Sequence, residues 1–292
     1  MNTVSVEGTP AALVGALAAQ AMRVETPCGT RRMVWRCWGE GPAIVLLHGG
    51  HGSWTHWIRN IPYLAQRYRV AVPDMPGYGD SALPPDPADP ASLAQALASG
   101  LDEVFPGSGP VAVVGFSFGG VIAGHLTRLR PDRAGRLVLV GAGGLGLERP
   151  TLQPLRSWRR LDGPERDEAH RANLQILMLH DPASIDALAL HLQARNTART
   201  YINSPAISAT DTLRRCLDEV SAPLAGIWGE ADATTGALLQ TRRDLLRTID
   251  PQSEFVVVPG AGHWVQYEAP EAFNTALDTI LSSTRPRAAR GS

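Results

Sequence analysis

The pentapeptide Gly115-Phe116-Ser117-Phe118-Gly119 constrains this chain more than any other feature. It follows Val111-Ala112-Val113-Val114, a short apolar, β-branched run that suits a buried parallel strand. It precedes Gly120-Val121-Ile122-Ala123-Gly124-His125-Leu126, which has the character of a helix packed close to a sheet. Strand, sharp turn and helix in that order give G-x-S-x-G its meaning as a nucleophile elbow. The requirement is steric. The serine stands on a strained turn with its hydroxyl projecting from the sheet, and side chains two residues to either side would collide, so glycine is needed there. A plain Gly-rich turn with a capping serine gives the same pattern, so partners elsewhere in the chain must decide.

The rest of the chain alternates strands with helices. Strands are predicted around Arg23-Val24-Glu25 and over Met33–Trp38, the second alternating in a way that fits an edge hairpin, then over Ala43–Leu47 and Arg69–Val72. Further strands fall at Val111–Val114, Leu137–Val140, Leu224–Trp228 and Phe255–Val258. Helical patterns lie near Thr55–Gln66, Ser92–Phe105, Gly119–Leu129, Ala237–Thr248 and Pro270–Leu281. That order implies an α/β chain with a doubly wound, mostly parallel sheet. From Gly146 to Ser221 no buried-strand run occurs, only amphipathic stretches such as Arg171–His180 and Ser184–Arg199. We read a core from residues 1–145 and 222–284 and a helical cap at 146–221, roofing the strand ends where ligands of open α/β sheets bind. The Ala-rich stretch Ala11–Ala21 is read as an N-terminal helix, and residues 285–292 as a solvated tail.

A serine hydroxyl is a weak nucleophile until a base takes its proton, and that base needs an orienting acid. The later strands supply both. Leu224–Trp228 runs into Gly229-Glu230-Ala231-Asp232, and Phe255–Val258 runs into Pro259-Gly260-Ala261-Gly262-His263-Trp264. A parallel sheet delivers both turns to one rim, in the chain order serine, acid, histidine. Ser117, His263 and Asp232 are therefore the candidate catalytic set, with Glu230 and then Glu148 as alternative acids. The N–H of Phe118 supplies one donor to an oxyanion. The Gly-rich loop His48-Gly49-Gly50-His51-Gly52 supplies another, from Gly50 with His51 as fallback. His48 is expected to brace that loop; no carboxylate or cysteine cluster accompanies it, so no metal site is expected.

The formal net charge of the 292 residues is −1, which offers no basic surface to nucleic acid or anionic lipid. Cys28, Cys37 and Cys216 are scattered without paired spacing, as for reduced thiols in a cytoplasmic protein. Ala11–Ala21 is too short to span a bilayer and lacks preceding basic residues, so a signal peptide is not expected; nor is a membrane or nucleic-acid partner. The expected partner is a small-molecule substrate, without a cofactor; self-association as a homo-oligomer is compatible with the sequence.

With these residues in place the chain resembles serine hydrolases of the α/β-hydrolase fold. The matching segments are His48-Gly49-Gly50, Asp74-Met75-Pro76-Gly77-Tyr78-Gly79-Asp80-Ser81, Gly115–Gly120, Trp228–Asp232 and Gly262-His263-Trp264 with Glu268 and Pro270. Dehalogenases and epoxide hydrolases of this fold carry an aspartate at the elbow, where this chain has Ser117. Gly262–Glu268 is similar to the histidine segment of meta-cleavage product hydrolases, which cut a C–C bond in vinylogous 1,5-diketones from aromatic degradation. That resemblance implies a cap arginine binding the substrate's anionic end, carried here by Arg195 in His191-Leu192-Gln193-Ala194-Arg195, and a pocket lined by Trp264. The chain departs from that family in two places. Phe116 replaces an asparagine before the nucleophile, and the loop reads His51-Gly52-Ser53-Trp54. Both make the site bulkier and more apolar, with Phe116 and His51 among its substrate-facing residues. Other readings are an esterase or lactonase on small esters, a cofactor-free perhydrolase or lyase, and a ligand receptor on the same scaffold.

Overall fold

Continuous apolar runs need cover on both faces, and here they become the middle of one sheet. The computed structural model describes residues 8–84, 89–107 and 109–283; the tail at 285–292 lies outside them. The strands are β1 (Met22–Cys28), β2 (Arg31–Trp38), β3 (Ala43–Leu47), β4 (Arg69–Pro73), β5 (Val111–Phe116), β6 (Ala134–Val140), β7 (Leu224–Gly229) and β8 (Glu254–Val258). Their spatial order is β1-β2-β4-β3-β5-β6-β7-β8. The β1–β2 and β2–β4 pairs are antiparallel and all other pairs parallel.

The pleat sorts each strand's side chains into two cores. Val45, Leu47, Val113, Leu137 and Leu139 lie on one face. Ile44, Leu46, Val114, Val138 and Val140 lie on the other. Helices Pro90–Val104 and Phe118–Leu129 contribute to the first core, and Pro270–Ser282 to the second. The register pairs Leu47 with Gly115, Phe116 with Val140 and Gly229 with Val258, so neighbouring carboxyl ends finish near one rim.

Several sequence expectations change in detail. The β1–β2 hairpin does form one edge, but β2 does not alternate. Met33–Trp38 are all buried, because β2 lies between β1 and β4 and both its faces are covered. The helix expected over Thr55–Gln66 is broken into a 3₁₀ turn, Trp54–Trp57, and a short helix, Ile61–Leu64. Pro62 accounts for the break: it has no N–H to donate, and its ring crowds the carbonyl one turn earlier. In the segment read as a cap, the helix expected at 171–180 begins upstream as Gly163–Asn173 and ends as a π turn, Leu174–Met178. The helix Ala187–Thr197 falls inside its predicted range.

The last part of the segment assigned to the cap rejoins the core. Helices Ser204–Ser208 and Thr212–Leu217 pack on Phe118–Leu129. Leu213, Cys216, Leu217 and Val220 belong to the first hydrophobic cluster. Gly124 makes this possible, since a side chain there would overlap Leu213. The N-terminal helix, Pro10–Ala19, buries Val14 and Leu17, and the Leu17 carbonyl accepts a 3.0 Å bond from Trp38 Nε1. Among the described residues no helix is long and apolar enough to cross a membrane.

Candidate active site

The elbow is strained as the pattern requires. Ser117 has φ 53° and ψ −114°, a region L-residues avoid. Surrounding bonds hold it there. Its N–H donates to the Val140 carbonyl at 2.8 Å, and its own carbonyl accepts from Gly120 at 3.0 Å and Gly143 at 3.2 Å. Both flanking glycines are sterically required. A Cβ on Gly115 would overlap the Gly119 carbonyl, and one on Gly119 would overlap the Leu47 and His48 carbonyl oxygens. Gly119→Ala is therefore expected to force the elbow away from the β3 loop. Overpacking of this kind costs about 1–3 kcal/mol, roughly several degrees of Tm for a chain this size. Calorimetry and turnover should fall together; an unchanged Tm with full activity would contradict the geometry.

The two loops after β7 and β8 converge on the serine. His263 Nε2 lies 3.0 Å from Ser117 Oγ, and His263 Nδ1 lies 2.9 Å from Asp232 Oδ2. Asp232 is 1% exposed and His263 4%. The second Asp232 oxygen, Oδ1, accepts from the Thr234 N–H at 2.8 Å and from Thr234 Oγ1 at 2.7 Å. Burial alone would raise the Asp232 carboxyl. The adjacent His263 imidazole and the Thr234 donors outweigh it and hold the group below its usual range. Gly141, at φ 50°, gives the pair its room: a Cβ there would lie 3.2 Å from both Asp232 Oδ2 and His263 Nδ1.

Glu230 has a different job. Its Oε2 accepts from the Gly260 N–H at 2.9 Å, tying together the turns that carry the acid and the histidine. Glu148 is exposed, and its carbonyl accepts from Arg242. Glu268 ties the histidine loop to the chain at His180 and Asp181, accepting from Gly262 N at 2.6 Å, Asp181 N at 2.7 Å and His180 N at 3.1 Å.

The loop after β3 is fixed by two imidazoles. His48 Nε2 accepts from the Met75 N–H at 3.0 Å, so its Nδ1 donates to the Gly49 carbonyl at 2.8 Å. With both nitrogens used, His48 has no lone pair for a metal. His56 Nδ1 accepts from the Gly49 N–H at 3.2 Å, which removes Gly49 as an oxyanion donor. Burial first, and then the neighbouring imidazoles, push His56 well below its ordinary value. Asp74 clamps the same loop from below, accepting from Trp54 N at 2.8 Å, Asp80 N at 2.9 Å and Arg36 Nη1 at 3.2 Å. Gly50 faces the elbow: a Cβ there would lie 3.7 Å from Phe118 Cβ and would collide with Ser204 Oγ. Phe118 opens its helix without a side-chain cap, which leaves its N–H unpartnered within the helix.

A cavity of about 240 Å³ opens beside this loop under the cap, with Gly50, His51 and His56 in its wall. His51 is placed there by a left-handed backbone, φ 55°. The other residues expected to face the substrate lie away from this cavity wall, as do Ser117 and His263. Phe116 is buried, its ring centroid 5.0 Å from that of His263 and 5.5 Å from that of His56, so it backs the imidazoles and does not line the cavity. Trp264 is also buried, stacked on Tyr267 at 4.2 Å and donating from Nε1 to the His56 carbonyl at 2.9 Å. It supports His56 from behind. Arg195 is exposed and absent from the cavity wall, whereas Gln193 and Thr197 of the same helix line it. At about 100° per residue, Arg195 points to the opposite side from both. Asn196 fixes that phase through bonds to Ser53 Oγ at 2.8 Å and Thr55 Oγ1 at 3.0 Å.

Sequence reasoning missed Thr234, Gly141 and Ser204. The Asp-x-Thr spacing carried a signal for the first, since a threonine two residues on can close a turn onto the aspartate. Gly141 and Ser204 become visible only when distant segments meet.

Residues 44–276 match the model of the alpha/beta hydrolase family. A 2-hydroxy-6-oxo-6-phenylhexa-2,4-dienoate hydrolase of Burkholderia cepacia is 31% identical over 264 residues, 84% of this chain and 89% of the relative. An acetyltransferase component of the acetoin cleaving system of Pseudomonas putida is 30% identical, over 87% of this chain and 67% of the relative. The solved structure of a 2-hydroxy-6-oxo-6-phenylhexa-2,4-dienoate hydrolase from a Rhodococcus species superposes with a TM-score of 0.67 at 22% identity, covering 90% of this chain and 99% of that one. At that identity the superposition speaks to the fold.

Proposed function

The chain belongs to the alpha/beta hydrolase family, and from that premise we propose that Ser117, His263 and Asp232 form the triad of a serine hydrolase. The observation that carries this is the unbroken series Ser117 Oγ, His263 Nε2, His263 Nδ1, Asp232 Oδ2, with links of 3.0 and 2.9 Å on a strained elbow. As Oγ attacks a substrate carbonyl, Nε2 takes its proton and Asp232 stabilises the imidazolium. The resulting oxyanion lies against the N–H of Phe118 and of Gly50. Collapse expels the leaving group, which receives the proton from Nε2. Water then attacks the acyl-serine by the same route and restores the enzyme.

The finer reading is cleavage of a C–C bond in a 2-hydroxy-6-oxo-dienoate, a vinylogous diketone. A carbon leaving group departs only if its negative charge is delocalised, and the dienolate with its carboxylate end provides that. The similarity to the Burkholderia cepacia dienoate hydrolase over most of both chains supports it. So does the cavity, which combines apolar walls at Leu155, Leu177 and Met178 with the cations Arg156 and Arg159. The test is a turnover panel of ring-fission dienoates, small nitrophenyl esters and lactones. We expect the highest kcat/KM on a dienoate. Rapid turnover of esters or lactones with none of dienoates would assign a carboxylesterase or lactonase. A single slow acylation without turnover would assign a receptor.

A further inference from the structure

Gly50 has no side chain, and the space one would fill is taken by Ser204. A Cβ on Gly50 would lie 2.2 Å from Ser204 Oγ and 3.0 Å from Ser204 Cβ, with Phe118 Cβ at 3.7 Å. The neighbouring Gly49 brings the nucleophile into the same corner, since a Cβ there would lie 3.3 Å from Ser117 Cβ. Ser204 is carried by the short helix Ser204–Ser208, which packs on the helix Phe118–Leu129 that follows the elbow. The turn after β6 ties the two together. Gly143 N donates to the Ser117 carbonyl at 3.2 Å, and Gly144 N donates to the Ser208 carbonyl at 2.8 Å. That carbonyl also accepts from Arg149 Nη2 at 2.7 Å. Behind Ser204 stands Tyr78, fully buried, its ring centroid 4.9 Å from that of His48 and 6.1 Å from that of Phe118. Tyr78 Oη is sealed from solvent and makes no hydrogen bond of ordinary geometry to the described residues. Burial raises the Tyr78 phenol and the Ser204 hydroxyl opposes the rise, which puts the two oxygens side by side. A buried phenol keeps its proton and needs an acceptor. Ser204 Oγ is the oxygen at hand, and once it accepts from Tyr78 its own proton is free to point elsewhere.

We propose that the Ser204 hydroxyl is a third donor to the oxyanion formed at Ser117, beside the N–H groups of Phe118 and Gly50, and that Tyr78 is its positioning residue. No proton changes hands. The hydroxyl keeps its proton and donates a hydrogen bond as the substrate's carbonyl oxygen gains charge. A donor held on a packed segment needs little reorganisation at that moment, which is what stabilising an oxyanion requires. Glycine at position 50 then has a second reason, because any side chain there would displace the hydroxyl. The proposal rests on the serine-hydrolase reading. It holds for a dienoate or an ester alike, since attack on either carbonyl creates the same oxyanion.

The probe is phenylboronic acid, whose boron takes up a serine oxygen and becomes a tetrahedral anion in the place of the intermediate. Calorimetric titration of the full chain, with boron NMR to report the tetrahedral adduct, gives its affinity. The wild type should bind it and Ser117→Ala should not. Ser204→Ala should weaken it by roughly tenfold to a hundredfold, as for a hydrogen bond to a charged group. On the best substrate of the turnover panel kcat should fall by a similar factor, with KM and Tm near those of the wild type. Ser204→Cys fills the same space with a weaker donor and should match Ser204→Ala, which answers for any void that alanine leaves. Tyr78→Phe should lower kcat by less, and should cost nothing more when added to Ser204→Ala. Full boronate affinity in both Ser204 variants, or losses that fall on KM and Tm together, would overturn the proposal and leave the triad standing. A Tyr78→Phe loss that adds in full to that of Ser204→Ala would remove Tyr78 from the positioning role. Boronate that does not bind the wild type, or that binds Ser117→Ala as well, would overturn the triad reading itself, and the third donor with it.

Discussion

Ser117→Ala is expected to lower kcat/KM by about a thousandfold or more while leaving the thermal transition in place. The structure explains why the two effects separate. The hydroxyl is half-buried, and its bond is to His263 Nε2 at 3.0 Å. The backbone bonds that hold the elbow, from Ser117 N to Val140 and from Gly120 and Gly143 to Ser117, do not involve the side chain. Alanine at φ 53° meets the same backbone restriction as serine, so the fold has no new strain to absorb. His263→Ala should cost a similar factor, because the serine then has no base. The double variant should be hardly worse than either single one, since groups that act as a unit are non-additive. Steady-state kinetics with intact Tm checks this. Near-native turnover by purified Ser117→Ala would remove the elbow from the chemistry, and additive losses would argue against a shared proton path.

What the sequence reveals and what it hides follow from distance along the chain. The strands β3 and β5 are legible because a continuous apolar run leaves a backbone few places to go. Ser117 is legible because its constraint is local: glycines at two residues on either side report the crowding directly. Asp232 and His263 are legible because strand ends of a parallel sheet share a rim. The cap residues are not. Whether Arg195 faces the cavity depends on helix phase, and that phase is set by Asn196 reaching Ser53 and Thr55, more than a hundred residues away. Phe116 and Trp264 illustrate the same limit. An aromatic beside Ser117 or His263 can be a pocket wall or a support behind the imidazoles, and only tertiary contacts distinguish them. Here His56 occupies the layer between Trp264 and the cavity. Pro62 carried a visible signal against a long helix, yet the amphipathic pattern around it pointed the other way.

Asp232→Asn should reduce kcat by about three to four orders of magnitude with little change in substrate affinity. The direction follows from which atoms surround the carboxylate. Oδ1 accepts two donors from Thr234, its N–H and its hydroxyl. In the asparagine variant the amide oxygen is the group able to accept them, which turns the amide nitrogen toward His263 Nδ1. That nitrogen is a donor, so Nδ1 must become the acceptor and the ring proton moves to Nε2, facing Ser117. The imidazole then presents a proton where a lone pair is needed. Glu230→Gln should stay within about twofold, because Glu230 braces the Gly260 turn from an exposed position and does not reach the ring. A second readout separates lost chemistry from lost structure. The folded Asp232 carboxyl lies below its usual range, so its contribution to stability is present above the ordinary carboxylate pKa of about 4 and disappears as pH falls through the depressed value. Asp232→Asn should therefore flatten the acid side of the stability profile as well as abolish the triad's tautomer control, which NMR of the imidazole protons reports directly. A ranking in which Glu230→Gln is the crippling change and Asp232→Asn the mild one would transfer the orienting role to Glu230.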